Sequence, residues 1–152
     1  MGQLTVHIYR SGEDGRDVRR VTYCVPKYPH GTVLQALLDI YDCLDSTLAF
    51  SYGCRLKWCG LCAVQLIGRS RIACLTKVTE GAEVQPLKRL PVARDLVIDR
   101  RHLFETKRIM ELYIPENPVY QQPSVIHPPA VAYRLAECTE CLCCLAECPQ
   151  YD

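Results

Sequence analysis

Leu4, Val6 and Ile8 alternate with Thr5, His7 and Tyr9, the period-two pattern of a half-buried strand. Ser11 to Gly15 reads as a turn. Val18 to Val25, rich in β-branched residues, reads as the returning strand of a β-hairpin. The period then changes. Thr32-Val33-Leu34-Gln35 fits a capping box, in which Thr32 accepts from a free helical N–H and Gln35 reaches back. Val33, Leu34, Leu37, Leu38 and Tyr41 follow at helical spacing, which predicts a helix from Thr32 to Asp42. Ser51 to Cys62 is rich in glycine and cysteine and reads as a loop. Ala63 to Ile67 and Arg71 to Cys74 flank Gly68 as a second hairpin, and Glu83 to Leu87 reads as a short strand.

Near residue 100 the pattern shifts from strand-like to helix-like. Arg101 to Tyr113 is predicted helical, with Leu103, Phe104, Lys107, Met110 and Ile114 near one face. Five prolines between Pro115 and Pro129 exclude a continuous helix, because each ring removes an N–H donor, and predict an extended connection. Val131 to Cys148 reads as helical or turn-like. The expected organisation is α+β, with domains at 1–99 and 100–152 and a Pro-rich connection at 115–129.

Composition narrows the function classes. The chain has 152 residues, 49% apolar and 23% charged, which excludes a wholly disordered chain. A formal net charge of +1 gives no field that would advertise nucleic acid or anionic lipid. Met1 to His7 shows no basic stretch leading into an apolar run, and no window approaches the ~18 apolar residues of a membrane span. The expected location is therefore the cytoplasm. The anomaly is eleven cysteines beside two Phe and one Trp. A reducing compartment argues against a disulfide framework, and an odd number leaves a thiol over, so metal is the leading explanation. Isolated Cys24 and Cys43 are expected to be buried, inert thiols.

The other nine cysteines form two groups. Cys54, Cys59, Cys62 and Cys74 give C-x4-C-x2-C-x11-C, the plant-type [2Fe–2S] spacing with a fourth cysteine downstream. Two bridged irons need four thiolates from different directions, and a loop supplies three if its backbone wraps the cluster. Gly53 and Gly60 sit beside ligand positions, where a missing Cβ permits close approach and unusual φ. Backbone N–H groups there can point at sulfur, and Arg55 adds positive charge beside an anionic centre. Zinc is the competing metal, but its common sites pair C-x2-C units or mix Cys with His, and the x4 gap does not suit them.

Cys138, Cys141, Cys144 and Cys148-Pro149 give C-x2-C-x2-C-x3-C-P, the bacterial-ferredoxin run. Three of these thiols suit one [4Fe–4S] cluster, while the cysteine before proline serves another cluster in two-cluster proteins. The fourth thiolate is thus missing, since no second run follows. Three resolutions stand: a fragment of a longer subunit, a ligand from a partner chain, or Cys148 completing a single site. A fragment or an unusually short form is the expectation. Cys143 inside the run reads as a small buried side chain.

A plant-type group followed some sixty residues later by a bacterial-type run resembles the iron–sulfur subunit of the succinate dehydrogenase/fumarate reductase family. Ser51-Tyr52-Gly53-Cys54-Arg55 with Cys59-Gly60-Leu61-Cys62-Ala63 is similar to that family's first cluster loop, and Ile72-Ala73-Cys74-Leu75-Thr76 to its fourth-ligand strand. Leu90-Pro91-Val92 and Arg94 to Asp99 are similar to its crossing between domains, and Cys138 to Pro149 to its second motif. The resemblance implies a β-grasp [2Fe–2S] ferredoxin domain followed by the start of an α-helical ferredoxin domain. It implies [2Fe–2S] and [4Fe–4S] clusters, no flavin in this chain, and no substrate chemistry of its own. Electrons would pass between a FAD flavoprotein subunit and a quinone-side or other acceptor. Partners would include that flavoprotein and a membrane-anchor or C-terminal cluster-bearing subunit, with attachment on the inner membrane face through them. The family's C-terminal half is absent, which raises the alternative of a soluble, thiol-linked fumarate reductase.

Other classes compete. A soluble ferredoxin-like carrier would use the same clusters without a fixed partner. A zinc-stapled interaction module would be colourless. A catalytic thiol needs a base, and His7, His30, His102 and His127 lie away from the cysteines in sequence. Lys88, Arg89, Arg94, Arg100, Arg101, Lys107 and Arg108 read as a solvated basic face.

Overall fold

In a computed structural model of the chain, residues 2–12, 15–109, 134 and 136–151 are described. The expected continuation of the second helix to Tyr113, the Pro-rich connection and most of 131–137 lie outside them. Two compact units are present: Met1–Asp99 with Thr139–Asp152, and Arg100–Cys138. The second cysteine run, from Thr139 onward, thus packs with the chain's first 99 residues.

The first unit is built on a five-stranded mixed sheet of order β2-β1-β5-β3-β4. Strands β1 (Gln3–Arg10) and β2 (Arg19–Pro26) form the predicted antiparallel hairpin. Strand β5 (Ala82–Gln85) lies parallel to β1 and antiparallel to β3 (Ala63–Leu66), which pairs in turn with β4 (Arg69–Ile72). The turn joining β3 to β4 places Ile67 (φ 47°) and Gly68 (φ 76°) in the left-handed region, as a two-residue hairpin loop demands. Helix α1 (Val33–Cys43) buries Val33, Leu34, Ala36, Leu37 and Ile40 in one core with Leu4, Val6, Ile8, Val25, Val64 and Val84.

Thr32 caps α1 by accepting from the Gln35 N–H at 3.2 Å. The reciprocal half of the expected box is absent, because the Gln35 side chain donates instead to Asp39 at 2.9 Å, one turn ahead. Two further free N–H groups of the helix start, on Val33 and Leu34, donate to the carbonyls of Thr76 and Ala73. That contact ties the turn carrying Cys74 to the helix.

A hairpin of β6 (Val92–Arg94) and β7 (Val97–Ile98) is not foreseen by the sequence pattern. Its turn residue Asp95 is 1% exposed. The inward alternation of β1 ends on Arg10, and its guanidinium pairs with Asp95 at 2.9 Å and Asp45 at 2.6 Å. Arg10 also donates to Tyr23 Oη and the Thr47 carbonyl, each at 3.0 Å. Asp95 accepts from the Ser11 and Ala49 amides at 2.9 and 2.8 Å. The buried charges are therefore paired and hydrogen-bonded, the condition under which an interior ion pair is tolerated. This network joins β1, the exit of α1 and the β6–β7 hairpin.

In the second unit, α2 (Arg101–Ile109) exposes Phe104 and Ile109. In the first, α3 (Cys143–Glu147) is one short turn of helix within the second cysteine run. Among the described residues no helix is long and apolar enough to cross a membrane.

Candidate metal centre

The 51–62 segment is a loop, as expected, and three of its residues bend it through the left-handed region: Arg55 (φ 60°), Lys57 (φ 72°) and Gly60 (φ 63°). Such a curl turns successive N–H groups toward one side. The Leu56 and Cys59 amides donate to Cys54 Sγ at 3.3 and 3.2 Å, and the Cys54 amide donates to Cys59 Sγ at 3.4 Å. The Leu56 N–H is the main reason the Cys54 thiol is held below its ordinary pKa. Hydrogen bonds of this kind favour the thiolate, the form that binds metal.

The remaining two thiols are brought together by the sheet. Cys62 lies immediately before β3, and the Ala73 amide donates to its carbonyl at 2.9 Å. Cys74 is in the turn after β4 rather than on the strand, because Leu75 and Thr76 both fold back to the Ile72 carbonyl. Both side chains are buried, and burial pushes the Cys62 thiol up to about 11, with Cys74 and Cys59 as its interacting neighbours. The four predicted cysteines therefore meet as two pairs, Cys54 with Cys59 and Cys62 with Cys74. Among the described residues no three His, Cys, Asp or Glu side chains could hold a single metal ion. A structural zinc draws four donors onto one ion, whereas a two-iron centre takes its thiolates in pairs, so this donor set fits the binuclear group better.

The glycines and Arg55 have defined neighbours. A Cβ on Gly53 would lie 3.3 Å from Cys59 Sγ and from Leu61 Cδ1. A Cβ on Gly60 would fall 2.9 Å from the Cys141 N and Cα, so this glycine lets the second cysteine run approach the first loop. The Arg55 guanidinium lies 5.4 Å from the Tyr52 ring centroid, and Tyr52 stacks on Phe50 at 5.7 Å. That contact gives Tyr52 a packing role and anchors the Arg55 charge at the loop.

The second run is also curled, with Glu140 (φ 52°) and Leu142 (φ 66°) left-handed. Cys141, Cys143 and Cys148 are half-buried and Cys144 is exposed. Burial raises the Cys143 thiol to about 12, with Cys141, Cys144 and Cys62 as neighbours, so this extra cysteine faces the first group. Cys138 is exposed, at the end of the second unit. The isolated cysteines depart from expectation, since Cys24 and Cys43 are both exposed. Cys24 falls on the outward face of β2 between inward Tyr23 and Val25, and Cys43 ends α1. The basic face is only partly solvated: Lys88 pairs with Glu147 at 2.9 Å and Arg89 donates to the Cys148 carbonyl. Composition alone gives no sign of either contact.

Residues 3–105 match the family described as the 2Fe-2S iron-sulfur cluster binding domain. An iron–sulfur relative from Methanothermobacter marburgensis, one of the subunits of its fumarate reductase (CoM/CoB), is 33% identical over 84% of this chain and 26% of its own length. The mitochondrial succinate dehydrogenase [ubiquinone] iron-sulfur subunit 1 of Oryza sativa subsp. japonica is 32% identical over 78% of this chain and 45% of its own. Among solved structures, a chain of the Mycobacterium smegmatis Sdh1 complex in the apo form superposes with a TM-score of 0.81 at 26% identity, covering 98% of this chain and 64% of that one. The chain therefore belongs to the iron–sulfur subunit family of succinate dehydrogenases and fumarate reductases, through its 2Fe-2S cluster binding domain. It spans from 24% to 56% of the length of the curated relatives it matches.

Proposed function

We propose that this chain relays single electrons between a FAD-bearing flavoprotein and a quinone-side or other acceptor. Cys54, Cys59, Cys62 and Cys74 would hold the [2Fe–2S] cluster, one pair of thiolates to each iron. The chemistry such a centre supplies is one-electron exchange, which divides the two-electron step of a flavin. The chain's own residues hold and tune it. The Leu56 and Cys59 amides stabilise charge on Cys54, the sheet fixes Cys62 beside Cys74, and Gly53 leaves room for Cys59.

Cys138, Cys141 and Cys144 would serve a [4Fe–4S] cluster, with Cys148 as its fourth ligand or as a ligand of a further cluster. Residues 1–99 would form the [2Fe–2S] ferredoxin domain and 100–152 part of a helical ferredoxin domain. Attachment to a membrane would come through partners. The observation that carries the reading is the N–H···S cradle around Cys54 and Cys59, set beside the buried Cys62–Cys74 pair. The relative named for CoM/CoB favours a second version, a thiol-linked fumarate reductase whose acceptor is not a quinone.

Anaerobic affinity purification of the tagged chain from its own cells tests the assignment. The expected co-purifying protein carries FAD, and fumarate or succinate changes the visible absorption of the clusters in the complex. A brown chain that never retains a flavoprotein would instead indicate a free carrier.

A further inference from the structure

We propose that Glu147 is a positioning residue that fastens the second cysteine run onto the β3–β4 hairpin and so fixes how closely the two cluster sites approach. The proposal rests on the two-cluster reading above. Glu147 stands on α3 between Cys144 and Cys148, with its side chain 41% exposed. Its carboxylate is nonetheless held from four directions. Oε1 accepts from the Ser70 amide at 2.6 Å, the Ser70 hydroxyl at 2.8 Å and Gln65 Nε2 at 3.3 Å. Oε2 pairs with Lys88 Nζ at 2.9 Å. Gln65 and Ser70 are buried polar residues on paired positions of β3 and β4. Ser70 Oγ also lies 3.1 Å from Gln65 Oε1, so the two side chains form one polar patch on the hairpin.

The placement couples this contact to the metal sites. Gln65 is three residues after Cys62, and Ser70 is four before Cys74, so the hairpin that receives Glu147 also carries the buried cysteine pair. Two further contacts join the same segments: Arg89 donates to the Cys148 carbonyl, and Gly60 yields space to the Cys141 backbone. Gly60 and Arg89 act on backbone, and backbone contact sets distance without choosing a register. Glu147 supplies the register, because only a carboxylate accepts a backbone amide, a hydroxyl and an ammonium together. A carboxylate among thiolates is otherwise unfavourable, and Lys88 offsets that charge.

The test uses the full chain, purified anaerobically, and reads EPR of the reduced [2Fe–2S] centre with the second centre oxidised and then reduced. In the wild type, reduction of the second centre broadens the first signal and speeds its relaxation. Glu147→Ala is expected to keep iron and acid-labile sulfide at wild-type levels, to lose that broadening, and to lose hydrogen-exchange protection of the Ser70 amide. Glu147→Gln, which still accepts from Ser70, is expected to restore protection and part of the broadening. Ser70→Ala with Lys88→Met leaves the cysteine run untouched and is expected to show the same loss. Full clusters with unchanged broadening in either the Ala variant or the double variant would overturn the proposal while leaving the electron-relay reading intact. A wild-type chain without a second cluster would remove both.

Discussion

The two cysteine groups solve the same problem in different ways. The first is complete within its own fold. Three of its cysteines come from one curled loop and the fourth from a turn fastened to both the sheet and the start of α1. Its sulfurs already receive backbone N–H groups, and one pair is buried. The second group has the spacing of a cluster run but contributes only a five-residue helix, and it leans on the first domain through Glu147, Arg89 and Gly60. A site organised by a sheet can be specified locally. A site made by a short run needs docking contacts to fix where its thiols stand.

That contrast predicts separable losses. Cys59→Ser should abolish the reduced [2Fe–2S] EPR signal while sparing most of the second centre. Cys141→Ser should do the reverse, and a shared loss in both variants would show that the groups are not independent. Arg10→Met should lower the stability of the whole first unit, because Asp95 would keep a buried charge without its partner. Breaking such a pair typically costs about 3–5 kcal/mol. Chemical denaturation of the apo-chain measures it, and both cysteine groups should be lost in one transition. Gly60→Ala should cost about 1–3 kcal/mol for its left-handed backbone. Its added methyl, directed at the Cys141 backbone, should perturb the second group's signal more than the first's.

The smallest effect is one of pH. Thr47 first, then Tyr23 and Arg10, hold Asp45 below its ordinary value of 3.8. A carboxylate depressed in the folded state adds stability that is fully present above its unfolded pKa and fades as pH falls through the folded one. Apo-protein stability should therefore fall as pH drops below about 4, and Asp45→Asn should flatten that slope. An unaltered slope in the variant would remove Asp45 from the acid response.

The readable parts of the sequence are those with a period or a motif. Alternation in Leu4–Ile8 and helical spacing in Val33–Tyr41 predict β1 and α1, and cysteine spacing marks both groups. The rest depends on contacts distant in sequence. Arg10 continues an apolar alternation with a charge, and nothing local announces that Asp45 and Asp95 come to meet it. The β6–β7 hairpin is three residues against two, too short to carry a period. Glu147 lies 77 residues from Ser70, and Lys88 reads as one cation among several until the fold brings them together. Residue type alone puts Cys24 inside, whereas its place between Tyr23 and Val25 on an alternating strand turns it outward.

The most direct measurement is iron and acid-labile sulfide per chain on anaerobically purified protein, read together with EPR after reduction. The account requires at least about two irons and two sulfides per chain with a [2Fe–2S] signal that vanishes in Cys59→Ser. Protein devoid of sulfide, holding a single EPR-silent ion that survives that substitution, would contradict it.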